Sequence, residues 1–307
     1  MNQALLDHAS TTMKQGSKSF AAASRLFDPA TQRSALLLYT WCRHCDDVID
    51  GQALGHNGHV PPAGEALARL EGLKDATAAA YRGEPMSDPA FAAFQAVAQA
   101  HGIEQRHAFA HLEGFAMDVA GRRYETLDDT LEYCYHVAGV VGLMMAQVMG
   151  VTAPATLARA CDLGLAFQLT NIARDLVEDA RVGRCYLPAQ WLREMNLCAD
   201  TLAAPAHRLA LAVLAKRLVD AAEPYYTSAI AGIGALPPRS AWAVATALEV
   251  YRAIGLKVRA AGAAAWDRRQ GTHTAEKVVL LGKAAYVAGR ARVTDHPPRP
   301  EHLARFV

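Results

Sequence analysis

Asn171, Asp175 and Asp179 recur at every fourth residue, directly after an apolar stretch that includes Leu165, Ala166, Phe167 and Leu169. An α-helix turns that spacing into one stripe of oxygen donors, because side chains at i, i+4 and i+8 stack on one face. Gln168 extends the stripe one turn back, and Arg174 and Glu178 lie on its flank. Asp46 and Asp50 form a second such face after the mostly apolar run Ala35 to Cys42. Asp47 points elsewhere, and Arg43 sits one turn before it. Either face alone could be a solvated acidic surface. Both follow stretches that read as buried, and charge beside a core needs a partner. Carboxylates one turn apart repel unless a cation lies between them. Magnesium takes hard oxygen ligands and shares its shell with substrate phosphates. Two acidic walls therefore suggest magnesium, as two or three ions, held against a diphosphate whose C–O bond is to break. The carbocation left behind needs an apolar cavity that excludes water.

Helical periodicity runs through the rest of the chain, rich in Ala, Leu, Arg, Glu and Gln with little β-branched alternation. The patterns predict helices over 34–49, 65–82, 104–119, 126–149, 153–179, 205–233, 240–261 and 275–288. Ser87-Asp88-Pro89 marks another helix start. Residues 51–64, with Gly, His, Asn and two prolines, read as a loop. Residues 295–307, with three prolines, read as a loosely ordered tail. There is no fixed-period repeat and no long linker, so the expected architecture is a single all-α domain of many helices around a central cavity.

Composition narrows the alternatives. Of 307 residues, 52% are hydrophobic, enough for a large core and an apolar cavity. Lys plus Arg (31) nearly balance Asp plus Glu (30), which argues against a nucleic-acid surface. Six cysteines without a dense framework suggest reduced thiols and a cytoplasmic protein. Cys42 and Cys45 imitate a CxxC pair, but no second pair stands at a zinc-site spacing. The N-terminus has no apolar signal core. The longest apolar run, Val137 to Val151, is shorter than the ~20 residues of a spanning helix. Peripheral contact with the inner membrane face stays open.

The motifs resemble those of the squalene/phytoene synthase family, the head-to-head prenyl synthases. The matching residues are Tyr39-x-x-x-Arg43-x-x-Asp46-Asp47-x-x-Asp50, then Tyr133-Cys-Tyr-x-Val-Ala-Gly139-x-Val-Gly142, then Gln168-x-x-Asn171-x-x-Arg174-Asp175-x-x-Glu178-Asp179. Ser17-Lys18-Ser19-Phe20 and Arg184-x-Tyr186-Leu-Pro188 match too. The sequence looks closest to the bacterial branch of carotenoid biosynthesis that makes phytoene. The resemblance implies that Asp46, Asp50, Asn171, Asp175 and Asp179 bind magnesium, with manganese as a substitute. It implies that Ser17, Lys18, Ser19, Arg43, Arg174, Arg184 and Arg268 meet diphosphate, where arginine's planar fork suits the oxygens. Tyr39, Tyr133, Gln168, Tyr186 and Tyr251 would face the substrates or the developing cation. A tyrosine on an apolar helix is also an ordinary core residue, which is the competing account of Tyr39 and Tyr251. His44 and His136 read as satisfied core histidines.

The resemblance further implies that two geranylgeranyl diphosphates join through prephytoene diphosphate to phytoene, without NADPH, for downstream carotenoid enzymes. Asp46, Asp50, Asp175, Asp179, Tyr133 and Arg43 would carry the chemistry. No Gly-rich dinucleotide motif is present. Ser24 and Leu36 are expected near the walls leading to the acidic faces, and neither is a large aromatic, which is compatible with a C20 tail. A terpene cyclase would carry Ser or Thr and Glu at positions 175 and 179. A degenerate, non-catalytic relative would have lost the acids of one motif.

Overall fold

Helix caps fix where the chain turns. Asp28 accepts from the backbone of Ala30 at 3.0 Å and Thr31 at 3.1 Å, with Pro29 in the first turn. Asp88 does the same for Ala90 at 2.7 Å, ahead of Pro89. Thr126 and Asp129 form a reciprocal capping box. Each such cap is worth about 1 kcal/mol. Gly51 ends the first acidic helix in the left-handed region, at φ 59°.

The computed structural model describes residues 3–16, 18–51 and 62–307. Its helices are α1 (Gln3–Gly16), α2 (Lys18–Ser24), α3 (Pro29–Asp50), α4 (Ala63–Tyr81), α5 (Pro89–His101), α6 (Gln105–Val119), α7 (Leu127–Cys134) and α8 (Val140–Val148). They continue as α9 (Pro154–Arg181), α10 (Ala189–Glu194), α11 (Arg208–Ile233), α12 (Pro238–Ala261) and α13 (Thr274–Val293). Every regular element among the described residues is helical.

Two apolar clusters carry the packing. One is centred on α9 and α11, with Leu165, Leu169, Leu214, Leu218 and Tyr226 fully buried. The other joins α3, α5 and α6, where Trp41 stacks on Phe94 at 4.1 Å. Phe27, Ala35 and Ala243, with Met145 and Met149 against them, pack as a smaller third cluster. Glycine lets α8 and α9 touch: a Cβ on Gly142 would overlap the Ala160 carbonyl, and one on Gly164 the Ala138 carbonyl.

Several expected boundaries shift. The helix expected over 126–149 is interrupted by a π turn at Tyr135–Gly139, where Val140 N–H bonds Tyr135. Tight packing of Gly139 beside Cys161 accompanies that bulge. The expected loop at 51–64 lies outside the described residues over 52–61, and its last two residues already belong to α4. The tail, expected to be loosely ordered, makes specific contacts with the helices. Arg299 donates to buried Asp162 at 2.7 and 2.9 Å, Phe306 stacks on Tyr135 at 4.9 Å, and Leu303 is buried. A paired arginine and two apolar anchors outweigh the loop-forming tendency of its prolines.

Candidate active site

Two helical stripes run from an apolar floor to an acidic rim. On α9 the cavity wall follows Thr156, Arg159, Leu163, Phe167 and Asn171, a 3–4 residue rhythm that carries on to Asp175 and Asp179. On α3 it follows Leu38, Tyr39, Cys42 and Arg43, and continues to Asp46 and Asp50. Ala and Val side chains of α8, α11 and α12 close the cavity, which encloses about 770 Å³. Small-molecule sites span roughly 300–1,000 Å³, so this one is large.

Arginines hold the rim together. Arg43 bridges Asp46 at 3.0 Å and Asp47 at 2.5 Å. Arg174 grips Asp175 through two bonds of 2.5 and 2.8 Å. Arg184, just beyond the C-terminal end of α9, reaches the Asp50 carboxylate with both terminal amines. The two walls therefore face each other. Burial, with Asp50 and Asp47 adding repulsion, pushes Asp46 up to about 7. Burial and neighbouring Asp175 push Asp179 up to about 8.

The donor set fits magnesium. Asn171 Oδ1 is buried without a hydrogen-bond partner, on a side chain that lines the cavity. Carboxylates and an amide oxygen are hard ligands. Among the described residues no three His, Cys, Asp or Glu side chains stand close enough together to hold a metal ion by themselves. An ion bound here would have to complete its shell with diphosphate oxygens or water.

A buried carboxylate the motifs did not reveal stands beside this rim. Asp118 of α6 accepts from Tyr133 Oη at 3.1 Å and Tyr186 Oη at 2.9 Å, and the two tyrosine rings stack at 4.5 Å. Burial pushes Asp118 up to about 6, against the opposing pull of Arg184 and the two hydroxyls. The carboxylate fixes both phenols in place.

Tyr39, Gln168 and Tyr251, which the resemblance implies face the substrates, line the cavity. Tyr251 stacks on Phe167 at 4.3 Å, and Gln168 Oε1 accepts from Asn171 at 3.3 Å. Arg268, expected at the diphosphate, and its neighbour Arg269 are both exposed; Arg269 lines the cavity and bridges Asp175 at 3.0 Å and Glu178 at 2.9 Å. Adjacent arginines in a loop cannot be told apart by spacing. Ser24 and Leu36 do not line the wall; Ala23, Phe27 and Leu38 do, because the helix phase differs by one or two residues. Ser17 lies outside the described residues, as do the side chains of Lys18 and Ser19. Cys42 and Cys45 are free thiols, and burial pushes Cys42 up to about 12. His136 Nδ1 bonds the Ala110 carbonyl at 2.7 Å, and His44 packs edge-on against Phe91.

Known proteins resemble this chain in sequence and in fold. The Squalene/phytoene synthase family matches residues 13–277. A 15-cis-phytoene synthase of Pantoea ananas is 61% identical over 302 residues, 98% of each chain. A 15-cis-phytoene synthase of a Paracoccus species is 52% identical, over 91% of this chain and 90% of its own length. A crystal structure of a dehydrosqualene synthase in complex with ligand superposes with a TM-score of 0.82 at 28% identity, covering 94% of this chain and 98% of that one.

Proposed function

The chain belongs to the squalene/phytoene synthase family, and from that premise we propose that it condenses two geranylgeranyl diphosphates head to head into phytoene by way of prephytoene diphosphate. The observation that carries the reading is the acidic rim, Asp46 and Asp50 on α3 against Asn171, Asp175 and Asp179 on α9, tied by Arg184 over a large apolar cavity.

The five rim residues would hold two or three magnesium ions, or manganese in their place. When bound, these neutralise diphosphate charge as the C–O bond breaks. Arg43, Arg174, Arg184 and Arg269 are preorganised on the aspartates and offer their remaining donors to the diphosphate oxygens. The apolar walls keep water from the allylic cation. Tyr39, Phe167 and Tyr251 present aromatic faces to it, each worth roughly 0.5–2 kcal/mol. Tyr133 and Tyr186, held by Asp118, fix the side of the rim next to Asp50. The C2=C3 bond of the second substrate attacks C1 of the first. Loss of a proton closes the cyclopropane of prephytoene diphosphate. A second ionisation and rearrangement, ended by loss of another proton, gives phytoene. Two diphosphates and two protons leave, and the first diphosphate serves as base. The balance needs no hydride, and therefore no NADPH. The product passes to downstream carotenoid enzymes from a cytoplasmic protein.

The test is a product analysis of the purified protein with magnesium and geranylgeranyl diphosphate alone. Phytoene is the expected extract. A C30 hydrocarbon from farnesyl diphosphate with none from the C20 substrate would refute the chain length. Product formed only when NADPH is added would refute the non-reductive ending.

A further inference from the structure

Charge returns at the end of the cavity farthest from the acidic rim. Four of the described residues that line it are arginines; Arg43, Arg174 and Arg269 stand at the rim, and Arg159 stands at the other end. On α9 about 18 Å of helix axis separates Asn171 from Arg159. Below Gln168 this wall presents Phe167, Gly164, Leu163 and Ala160 before it reaches Arg159. The apolar lane therefore ends at a cation.

Arg159 is fastened across two helices and the tail. Its Nη1 donates to the Ser228 carbonyl of α11 at 3.0 Å, and its Nη2 to the Pro297 carbonyl at 2.8 Å. Its stem lies against Gly232, one turn beyond Ser228. A Cβ built on Gly232 would come within 2.8 Å of the Arg159 Cβ and 3.5 Å of its Cδ. The glycine leaves that space to the arginine stem, which closes the seam between α9 and α11 while its polar head reaches the carbonyls.

Space continues beyond this closure. Met149, Thr156 and Leu236 line both the main cavity and a smaller one past it, whereas Arg159 lines only the main one. A hydrocarbon tail pushing through would have to displace a guanidinium from two carbonyls and leave polar groups unpaired. Nor is Arg159 needed to neutralise the nearest acid. Asp162, fully buried, takes Arg299 at 2.7 and 2.9 Å and the Ser228 hydroxyl at 2.5 Å. Removing Arg159 therefore leaves no buried carboxylate without a partner.

We propose that Arg159 is the length stop of the tail cavity, a specificity-determining residue that admits a C20 isoprenoid tail and turns away a longer one. The proposal rests on the condensation inferred above and adds where its substrate must end. The test sets geranylgeranyl diphosphate against the C25 geranylfarnesyl diphosphate in the full chain and in R159A, R159L and R159K. Two C25 substrates would join by the same balance into a C50 hydrocarbon, with two diphosphates and two protons released. The ratio of kcat/KM for C25 to that for C20 is expected to rise about tenfold or more in R159A and about threefold in R159L. R159K, whose stem still fills the seam, is expected to stay within about twofold of wild type. A ratio taken within one variant is unmoved by a general loss of activity or of folded protein, so a merely structural role would leave it unchanged. If R159A fails to fold, R159L decides. Equal use of C20 and C25 by wild type, or an unchanged ratio in the folded variants, overturns the proposal. Calorimetric binding of the non-ionising C20 and C25 S-thiolodiphosphates with magnesium separates the stop from the reaction. Relatively tighter C25 binding in R159A, with no hydrocarbon from any form, would retain the stop and overturn the reading of the reaction. C40 hydrocarbon from wild type, with neither ratio moving in the variants, would retain the reaction and overturn the stop.

Discussion

Arg184 joins the two acidic walls by donating both terminal amines of its guanidinium to the Asp50 carboxylate, with Nη1 to Oδ2 at 3.2 Å. The pair is mostly shielded from water, with side-chain exposures of 27% and 15%. A planar fork fits a carboxylate or a diphosphate in a way a lysine ammonium cannot. Arg184→Lys keeps the charge and loses the fork. Its kcat/KM for the diphosphate substrate is expected to fall about 10- to 100-fold, while its melting temperature stays within a few degrees. Steady-state kinetics beside a thermal melt decide it; wild-type kcat/KM would remove Arg184 from the site.

Asp118→Asn replaces an acceptor of two phenols by an amide with one acceptor oxygen. One of Tyr133 and Tyr186 then loses its acceptor and can only accept from the amide N–H, so one of the two bonds reverses direction and its phenol proton is left without this partner. Activity is expected to drop by roughly 10²-fold, as for other groups that orient a reacting site. Stability should change little, because the carboxylate is costly to bury. A loss of stability with full activity in the folded fraction would assign Asp118 to packing alone.

The contrast between Asp118 and the rim aspartates tells what a sequence can reveal. Asp46 with Asp50, and Asn171 with Asp175 and Asp179, are legible because helix geometry alone brings them together. Asp88 announces its helix because capping is a local event, whereas the Asp28 cap starts α3 at Pro29, five residues before the expected start at 34. Asp118 meets Tyr133 and Tyr186 only after α6, α7 and the chain beyond α9 have packed, and nothing local marks it. The choice of Arg269 over Arg268, and of Ala23 and Leu38 over Ser24 and Leu36, depends on loop path and helix phase. The tail follows the same rule, since Arg299 finds Asp162 across 137 residues.

Magnesium binding should require the rim rather than the cavity. Asn171 Oδ1 has no hydrogen-bond partner, and Asp46, Asp50 and Asp175 are paired with arginines. Calorimetric titration of magnesium together with inorganic diphosphate is expected to show saturable binding to wild type and none to Asp175→Asn. The same variant should lose roughly 10³-fold in turnover with its helical spectrum intact. Removal of divalent ions by chelation should abolish activity, and manganese should restore it. Undiminished heat of binding in Asp175→Asn would contradict the assignment of this wall.

His111 links stability to pH. It is buried between Trp41 and Phe115, its Nδ1 bonds the His136 carbonyl at 3.2 Å, and its Nε2 has no partner. Burial lowers its pKa from 6.5 to about 4. The unfolded chain therefore binds this proton more readily than the folded one. The stability tied to the neutral ring is whole above pH 6.5 and is lost as pH falls from there toward 4, by about 3 kcal/mol at most. Burial lowers His101 and His107 as well, so the total slope is steeper than one histidine gives. Urea unfolding at several pH values should show a shallower acid slope in His111→Gln than in wild type. Equal slopes would refute the assignment.

The length of chain the cavity accepts should depend on Ala247. On α12 the wall follows Ala243, Val244, Ala247, Tyr251 and Ile254, so Ala247 faces the cavity between the aromatic Tyr251 and the alanine Ala243. A phenylalanine there would fill part of the about 770 Å³ without touching the rim. Each methylene that no longer fits costs roughly 1–3 kcal/mol, so the penalty grows with tail length. Ala247→Phe is expected to lower kcat/KM for the C20 diphosphate by about 100-fold and for a C15 diphosphate by much less. Competition between the two substrates, read as the ratio of C40 to C30 hydrocarbon, measures that difference directly. An equal loss for both would mean that the wall at Ala247 supports the ionising site rather than the tail. A C40 yield unchanged from wild type would mean that the tails run along α8 and α9 instead.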